Sequence, residues 1–280
     1  MNEKNHKPEL SAVEETLFLP LWARAKDAAR EKPILGDSYA RDIVARIDYD
    51  FSKMETEQTE NHRIIWPIRA SNFDTIIRRF LIEKSDAAVI NLGAGLDTSF
   101  QRIDNGKVIW INVELPEVAI LRQNLIPDSE RETTVAKSLF DFTWMDGIVR
   151  QTSGRSIMLM AAGVLCYFKG SEIEVLFKKL ANVYPGAHFI FDAFSRFSVW
   201  ATNLTIMSKK GISSSARLTW HLNKASRLRK WVSTIKVVEE YSMLSTIEPG
   251  EDWDKKVIRD LKIAKAFRMN RLYRMVHVRF

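Results

Sequence analysis

Apolar positions follow two different patterns along the chain. Up to residue 85 they fit helices, which we predict over residues 11–30, 38–47 and 66–82. Ser11 and Glu14 have the spacing of a capping box at the start of the first helix. Pro67 would lie in the first turn of the third helix, where a proline removes no hydrogen bond. We therefore predict a helical N-terminal extension, residues 1–85, packed on the rest of the chain.

From residue 86 the pattern changes to short apolar runs bounded by turn residues, which suit parallel strands covered on both faces. We predict strands over residues 87–92, 108–113, 134–137, 157–161, 188–191, 235–241 and 272–280. Helices are expected from Pro116, over residues 171–182 with a capping box of Ser171 and Glu174, and over residues 253–267. This alternation is typical of a doubly wound, Rossmann-like α/β sheet, here in a domain of residues 86–280.

Residues 194–230 interrupt the alternation, because they are rich in Ser, Thr, Lys and Arg and contain no strand pattern. We interpret them as an insertion that forms a lid. Its large apolar side chains either line a pocket for a flat, anionic, apolar compound or form a cap packed on the sheet. The sequence leaves both alternatives open for Phe194, Phe197, Trp200, Met207 and Trp220.

The composition is that of an ordinary globular protein, with 46% hydrophobic and 28% charged residues. No apolar run reaches the length of a membrane helix, and the polar N-terminus has no signal core. These features predict a cytoplasmic protein without a membrane partner. The single cysteine, Cys166, excludes an intramolecular disulfide and a multi-cysteine metal site. We expect Cys166 to be a small buried side chain and predict no bound metal.

The net charge of +7 is unevenly distributed. Residues 196–280 contain 18 Lys and Arg against 7 Asp and Glu, whereas residues 1–195 contain 24 against 28. Such a basic segment can attract nucleic acid, an acidic carrier protein or an anionic substrate, and it can also be a solvated surface without a ligand.

A glycine turn and an acidic residue suggest a nucleoside site. Gly93 and Gly95 follow the first predicted strand, where glycine lets the backbone approach a ligand closely. Glu114 ends the next strand and has the position of a carboxylate that binds ribose hydroxyls. A dinucleotide would require a third glycine, but Thr98 stands there, and Asp97 would repel a pyrophosphate. The pattern therefore favours S-adenosylmethionine over a nicotinamide cofactor.

The sequence around this turn is a more specific indication of the protein family than the glycines alone. It includes residues 91–98, Arg102, residues 113–118 and Arg122, with further agreement at 21–25, 37–40, 68–69, 138–141 and 163–167. The sequence resembles the leucine carboxyl methyltransferase family, in particular its bacterial branch of polyketide-synthesis-type O-methyltransferases. The resemblance covers residues 14–195. It implies a class I methyltransferase sheet, mostly parallel with an antiparallel last strand, and S-adenosylmethionine as cofactor.

The resemblance also implies a role for individual residues. Gly93 and Gly95 would face the methionine part of the cofactor, and Glu114 would hold its ribose. Ser138 and Leu139 would border the adenine, with Asp141 as a neighbour. The remaining residues are basic. Arg69 would bind the cofactor carboxylate, with help from Arg24 or Lys26.

The sequence departs from the family at Ala162, where many relatives have a glutamate before the Gly-Val-Leu motif. No general base is evident either. The weak candidates for this role are Tyr167, which would lie beside the cofactor, and His221 in the insertion. Each of them also fits a purely structural role. A carboxylate acceptor would need no base, whereas a phenol or alcohol usually does.

We thus predict an O-methyltransferase that acts on a carboxylate or a phenol or hydroxyl group of a small, polyketide-like molecule. One alternative is an RNA or protein-carboxyl methyltransferase, which the basic C-terminal third would suit, although no RNA-binding module is recognisable. Another is a binding protein with the same fold and no turnover, which Ala162 favours.

Overall fold

The computed structural model describes residues 12–52, 54, 60–208, 217–246, 253, 255–266 and 272–280. The helices with described bounds before the sheet are α1 (Ala12–Ala28), α2 (Ser38–Arg46) and α3 (Glu60–Glu83). The following elements are β1 (Ala88–Leu92), α4 (Ser99–Ile103), β2 (Ile109–Glu114), α5 (Pro116–Leu125), β3 (Glu132–Ala136), α6 (Trp144–Gln151), β4 (Ile157–Ala161), α7 (Gly170–Val183) and β5 (His188–Phe194). The last are α8 (Arg196–Ser208), β6 (Lys236–Ser242), α9 (Lys255–Ala266) and β7 (Tyr273–Arg279).

The strands form one sheet of seven in the order β3-β2-β1-β4-β5-β7-β6. Strands β1 to β5 pair in parallel, and β7 is antiparallel to both of its neighbours, β5 and β6. This confirms the predicted sheet with its antiparallel last strand. Because parallel strands share a direction, the carboxyl ends of β1 to β5 meet at one edge of the sheet.

The short apolar runs become central strands because helices cover the sheet on both faces. In β1, Ile90 and Leu92 point into one core cluster, which includes Phe177 of α7. Val89 points to the opposite cluster, together with Ile68 and Ile77 of α3. All five residues of β1 are buried, so the strand pattern is continuous rather than alternating.

The first two helices pack on a third cluster beside the sheet. Phe18, Leu21 and Trp22 of α1 contact this cluster, which also contains Leu96 of the glycine turn and Leu121 of α5. Helix α1 therefore lies against the loop that follows β1. The helical character of this part agrees with the sequence, while the division of the chain at residue 85 stays a prediction.

Several predicted boundaries were wrong. Helix α3 begins at Glu60, so Pro67 lies inside the helix rather than in its first turn. Helix α7 begins at Gly170, and Glu172 accepts a hydrogen bond from the Lys169 N–H at 2.8 Å, whereas the predicted cap residue Glu174 pairs with Lys178. The short helices α4 and α6 were not predicted, because neither is long enough to show a clear period. Ser11 lies outside the described residues.

The predicted lid is partly a packed layer. Thr219 and Trp220 donate backbone hydrogen bonds to the Cys166 carbonyl, and the Leu222 N–H donates to the Phe194 carbonyl. Trp220 is buried against the sheet, as the cap alternative predicted. Phe197 and Trp200 of α8, in contrast, are more than half exposed, at 56% and 58%. The side chain of Met207 lies outside the described residues.

Two histidines, one buried and one partly buried, form a pair at the opposite edge of the sheet from the strand carboxyl ends. His188 Nδ1 and His277 Nε2 are 2.8 Å apart, and His277 Nδ1 lies 3.3 Å from Glu239 Oε1. If His277 Nδ1–H donates to Glu239, its Nε2 accepts from His188, and both rings are neutral. Burial, aided by His277, lowers the pKa of His188 to about 4.

Acid is therefore expected to destabilise the protein through His188. Its pKa is 6.5 in the absence of the fold, so the unfolded chain binds more protons between pH 6.5 and about 4. The free energy of unfolding should fall across this window by on the order of 1–2 kcal/mol, since the side chain is only partly buried. Urea unfolding across this range measures the slope. His188→Gln keeps a hydrogen-bonding group without titrating, and an unchanged slope in this variant would contradict the assignment.

Candidate active site

The loops that follow β1 to β5 converge at the carboxyl edge of the sheet. They carry the glycine turn after β1, Glu114 at the end of β2, the loop 137–143 after β3, Gly163 after β4 and Asp192 near the end of β5. Ligands of doubly wound sheets bind at this edge. The register supports the clustering, since Leu92 pairs with Val113, and Glu114 with Ala136.

The glycine turn requires glycine for its backbone and for close packing. Gly93 and Gly95 have φ angles of 68° and 50°, in the left-handed region that L side chains rarely adopt. A Cβ on Gly93 would lie 2.7 Å from Val164 Cγ2, and a Cβ on Gly95 would lie 3.0 Å from Leu17 Cδ2. The turn is thus enclosed by the loop after β4 on one side and by α1 on the other.

Two buried arginines hold the carbonyl groups of this turn. Arg122 of α5 donates from Nη1 to the carbonyls of Gly95 at 2.9 Å and Asp97 at 2.7 Å. Arg24 of α1 donates from Nη2 to the intervening Leu96 carbonyl at 2.8 Å. Three successive carbonyl oxygens are therefore fixed by guanidinium groups from two helices, which leaves the turn a single conformation.

Asp37 connects this arrangement to the helices around it. Its Oδ2 accepts from Arg24 Nε at 2.9 Å, from Thr98 Oγ1 at 2.6 Å and from Arg102 Nη1 at 2.8 Å. Burial would raise the pKa of Asp37, but the charges of Arg24 and Arg102 outweigh it and hold that pKa below the ordinary value. The carboxylate therefore stays ionised between the two arginines. Arg102 also pairs with Asp74 through two hydrogen bonds.

Glu114 is buried with its carboxylate turned toward the glycine turn. Its Oε2 accepts from the Gly95 N–H at 2.7 Å, and its Oε1 accepts from the Leu115 N–H at 2.7 Å. Each oxygen keeps a further lone pair for a ligand. Burial raises the pKa of Glu114 despite these hydrogen bonds. The residue joins the ends of β1 and β2, which is where the ribose of a nucleoside would lie.

Arg69 of α3 reaches the same edge from the other side of the glycine turn. Its guanidinium stacks 4.7 Å from the Trp66 ring centroid, and a Cβ on Gly163 would lie only 2.0 Å from its Nη1. The hydroxyl of Tyr273 and the carboxylate of Asp192 lie near the guanidinium and favour its charged form. A side chain at position 163 would collide with Arg69, so this position requires glycine.

The loop after β3 is shaped by local hydrogen bonds. The Leu139 carbonyl accepts from the Trp144 indole at 3.2 Å, and the Ser138 carbonyl accepts from the Asp141 N–H at 3.0 Å. Asp141 accepts from the Thr143 hydroxyl at 2.6 Å and from the Thr143 N–H at 3.2 Å. These Thr143 bonds lower the pKa of the exposed Asp141. Leu139 is buried in the same core cluster as Trp144.

The structure separates two of the basic candidates for the cofactor carboxylate from Arg69. Arg24 is occupied by Asp37 and the Leu96 carbonyl, beneath the glycine turn. Lys26 is exposed on another face of α1, 5.9 Å from the Trp22 ring centroid. It borders two grooves beside α1 that do not reach the strand ends. The geometry therefore favours Arg69 as the carboxylate ligand.

The two candidate bases lie on neighbouring segments. Burial raises the pKa of Tyr167 to about 12, so the hydroxyl stays protonated at neutral pH and cannot act as a base. Burial, with Arg196 and Arg227, lowers the pKa of His221, so this ring is neutral at neutral pH. Cys166 between them is buried, as predicted, and burial raises the pKa of its thiol.

Two polar residues at this edge were not identified from the sequence. Asp192 accepts a hydrogen bond from the Gly163 N–H at 2.5 Å and another from the hydroxyl of Tyr273. The second of these residues is Tyr273. Asp192 could have been recognised in the sequence as a charged residue at the end of an apolar strand, since a buried charge requires a specific partner. The predicted strand stopped at residue 191, one residue short of it, whereas pairing with β7 continues the strand to Phe194.

These residues fit S-adenosylmethionine better than a dinucleotide. Thr98 is fully buried with its hydroxyl on Asp37, and Asp97 accepts from Asn91 and Ser99, so the turn offers a phosphate no free donors of its own side chains. The two ends of the site instead carry an acid, Glu114, and a cation, Arg69. In addition, the buried indole Nε1 of Trp66 has no hydrogen-bond acceptor among the described residues.

Comparison with known proteins decides the family. The family model of leucine carboxyl methyltransferases matches residues 18–181. The chain belongs to the leucine carboxyl methyltransferase family. It is 30% identical over 250 residues to the tetracenomycin polyketide synthesis O-methyltransferase TcmP of Streptomyces glaucescens, covering 87% of this chain and 90% of that protein.

Two further comparisons agree with this result. The S-adenosyl-L-methionine-dependent methyltransferase dpfgK of Gibberella zeae is 25% identical over 255 residues, with 85% of each chain covered. The crystal structure of the plantazolicin methyltransferase BpumL with S-adenosylhomocysteine superposes with a TM-score of 0.50 at 12% identity, covering 96% of this chain and 99% of that one. The latter likeness shows the fold alone.

The chain is therefore an S-adenosylmethionine-dependent O-methyltransferase, as predicted from residues 91–122, and the alternative without turnover is set aside. None of the helices in the described ranges combines the length and apolarity that a membrane crossing requires. Within those same ranges, His, Cys, Asp and Glu side chains do not group as metal ligands would.

Gly163→Ala should weaken cofactor binding by displacing Arg69. The variant adds a Cβ at the position of the guanidinium and places alanine at a φ of 73°. Gly154→Ala is the matched control, because Gly154 has a φ of 78° and no heavy atom within 4 Å of the added Cβ. Both variants should lose about 1–2 kcal/mol of stability from backbone strain.

Only Gly163→Ala should also lose affinity for S-adenosylmethionine, by about tenfold or more, measured by isothermal titration. Equal affinities of the two variants would show that Arg69 can move without consequence.

Proposed function

We propose that the enzyme methylates a carboxylate or a phenolic hydroxyl of a small, largely apolar molecule of polyketide type. The observation that carries the proposal is a site with a buried acid, Glu114, at the Gly95 N–H and a partly buried cation, Arg69, against Gly163. TcmP, whose name specifies polyketide synthesis, supports the acceptor class because it matches most of the chain.

The protein residues have separate tasks in this proposal. The carboxylate of Glu114 accepts hydrogen bonds from ribose hydroxyls, while its bonds from Gly95 and Leu115 keep it in place. Ser138, Leu139 and Asp141 border the adenine from the loop after β3. Arg69 donates to the carboxylate of the methionine part. When bound, S-adenosylmethionine supplies the electrophilic methyl group, and the site must hold the acceptor oxygen in line with it.

The acceptor side is expected beside the ends of β4 and β5. Tyr167 and the segment with His221 lie there, joined by the backbone bonds of Thr219 and Trp220 to the Cys166 carbonyl. Tyr167 can donate a hydrogen bond to an acceptor oxygen but cannot remove its proton, because its pKa is raised to about 12. A carboxylate acceptor is already ionised at neutral pH and fits a site without a base. A phenol would depend on His221.

A carrier-bound acceptor is a second possibility, which the exposed cations that follow His221 in the chain favour. Lys224, Arg227, Arg229 and Lys230 are exposed around the short helical turn Ala225–Lys230. An acidic carrier protein would meet complementary charge there. Turnover of a carrier-bound acceptor would then fall with salt more steeply than turnover of the free acid.

Isothermal titration tests the proposed ribose contact. Glu114→Ala should weaken binding of S-adenosylmethionine and S-adenosylhomocysteine by about tenfold to one-hundredfold, since it removes a charged hydrogen-bonding group. Glu117→Ala, three residues further on an exposed face of α5, is the control and should bind like the parent protein. Unchanged binding in Glu114→Ala would remove this residue from the site, and NAD should produce no heat with either protein.

The pH dependence of turnover separates the two acceptor groups. With a carboxylic acid acceptor, the rate should be flat around neutral pH and unaffected within about twofold by His221→Asn. With a phenolic acceptor, the rate should fall as the pH is lowered through the depressed pKa of His221, and His221→Asn should lose about one-hundredfold. Initial rates with a matched acid and phenol check this, and a phenol rate independent of His221 would eliminate it as a base.

A further inference from the structure

We propose that Tyr273 and Asp192 are positioning residues, which hold the Arg69 guanidinium in the orientation that binds the cofactor carboxylate. The inference rests on the proposed role of Arg69. It concerns two residues from β7 and β5, strands that contribute none of the sequence-predicted ligands.

Arg69 is balanced by a negative charge that it does not touch directly. In the part of the chain that the structure describes, no carboxylate forms an ion pair with it. The guanidinium lies against Gly163, whose N–H donates to Asp192 Oδ1, and the nearby Tyr273 hydroxyl donates to Asp192 Oδ2. Burial disfavours the charged form, but Tyr273 and Asp192 outweigh it and raise the pKa of Arg69 above its ordinary value.

The direction of this hydrogen-bond chain is fixed. Burial and the charge of Asp192 raise the pKa of Tyr273 well above its ordinary value, so the hydroxyl keeps its proton. It donates that proton to Asp192, so its oxygen remains available to accept from the nearby Arg69 guanidinium. The other oxygen of Asp192 accepts from the Gly163 N–H, which anchors the chain to the loop after β4.

The sheet holds Tyr273 in this position. Tyr273 pairs with Phe194 across β5 and β7, and the two rings stack with centroids 4.2 Å apart and planes 6° from parallel. Asp192 and Phe194 lie two residues apart on one strand and therefore on the same face. The Tyr273 hydroxyl thus reaches Asp192 diagonally, while the Trp66 ring stacks with the Arg69 guanidinium.

An indirect partner suits a ligand-binding arginine better than a direct one. A carboxylate in a bidentate pair would occupy two of the five guanidinium N–H groups and compete with the bound carboxylate. A hydroxyl engages the guanidinium at one acceptor atom only. The remaining donors stay available, and the charge of Asp192 still offsets the cost of burying the cation.

The test compares two cofactors that differ only in the carboxylate. S-adenosylmethionine and its decarboxylated form share the sulfonium, the amine and the nucleoside. In the full chain, Tyr273→Phe should weaken binding of S-adenosylmethionine by about tenfold and leave the affinity for the decarboxylated form unchanged. Asp192→Asn should likewise weaken binding of S-adenosylmethionine alone, and it replaces Tyr273→Phe in the test if that variant does not fold. Isothermal titration gives the affinities, and thermal unfolding verifies the fold.

Tyr184→Phe is the matched control, since Tyr184 is buried at 5% exposure and its hydroxyl has no hydrogen-bond partner among the described residues. It should change neither affinity. Equal losses for both cofactors in Tyr273→Phe, or no loss for either, would overturn the inference. Arg69→Gln keeps the two proposals distinguishable. If this variant does not distinguish the cofactors, the role of Arg69 itself fails; if it does and Tyr273→Phe does not, only the positioning role fails.

Discussion

The site depends on how the backbone of the glycine turn is held. Its carbonyl groups at Gly95, Leu96 and Asp97 point away from the ligand edge and are bound by Arg122 and Arg24. Buried guanidinium groups are stable only with fixed anionic partners, which Glu132 and Asp37 supply at 2.7 Å and 2.9 Å. The turn can therefore present its N–H groups to Glu114 and to a nucleoside without a phosphate to organise it.

This arrangement explains why helices that precede the sheet belong to the site. Helix α1 contributes Leu17 over Gly95 and Arg24 beneath the turn, and Asp37 caps α2 by accepting from the Ala40 N–H at 3.0 Å. Removing one partner from such a network leaves a buried charge unpaired, which costs about 3–5 kcal/mol. The N-terminal helices and the turn are thus coupled in stability as well as in position.

The methionine end of the site follows the same principle with different residues. There a partly buried cation, Arg69, is balanced by Asp192 through a tyrosine hydroxyl rather than by a direct ion pair. The two arrangements differ because the arginines have different tasks. Arginines that fix the backbone have all of their charge compensated by the protein, whereas an arginine that binds a ligand must keep donors available for it. Ala162 gives the loop after β4 no charge of its own, and the carboxylate of Asp192 accepts from the N–H of the next residue, Gly163.

The sequence by itself determined the sheet, the family, the cofactor and the residues next to the glycine turn, because these depend on local apolar patterns and short motifs. It did not determine where α3 begins, since tertiary packing tolerates Pro67 inside a long helix. It also assigned Arg24 and Arg69 the same task, although only the fold shows that Arg24 lies beneath the turn with Asp37. Asp192 and Tyr273 are 81 residues apart and meet through antiparallel pairing of β5 and β7. Contacts of that kind have no local signature, so only the tertiary structure could bring these residues together.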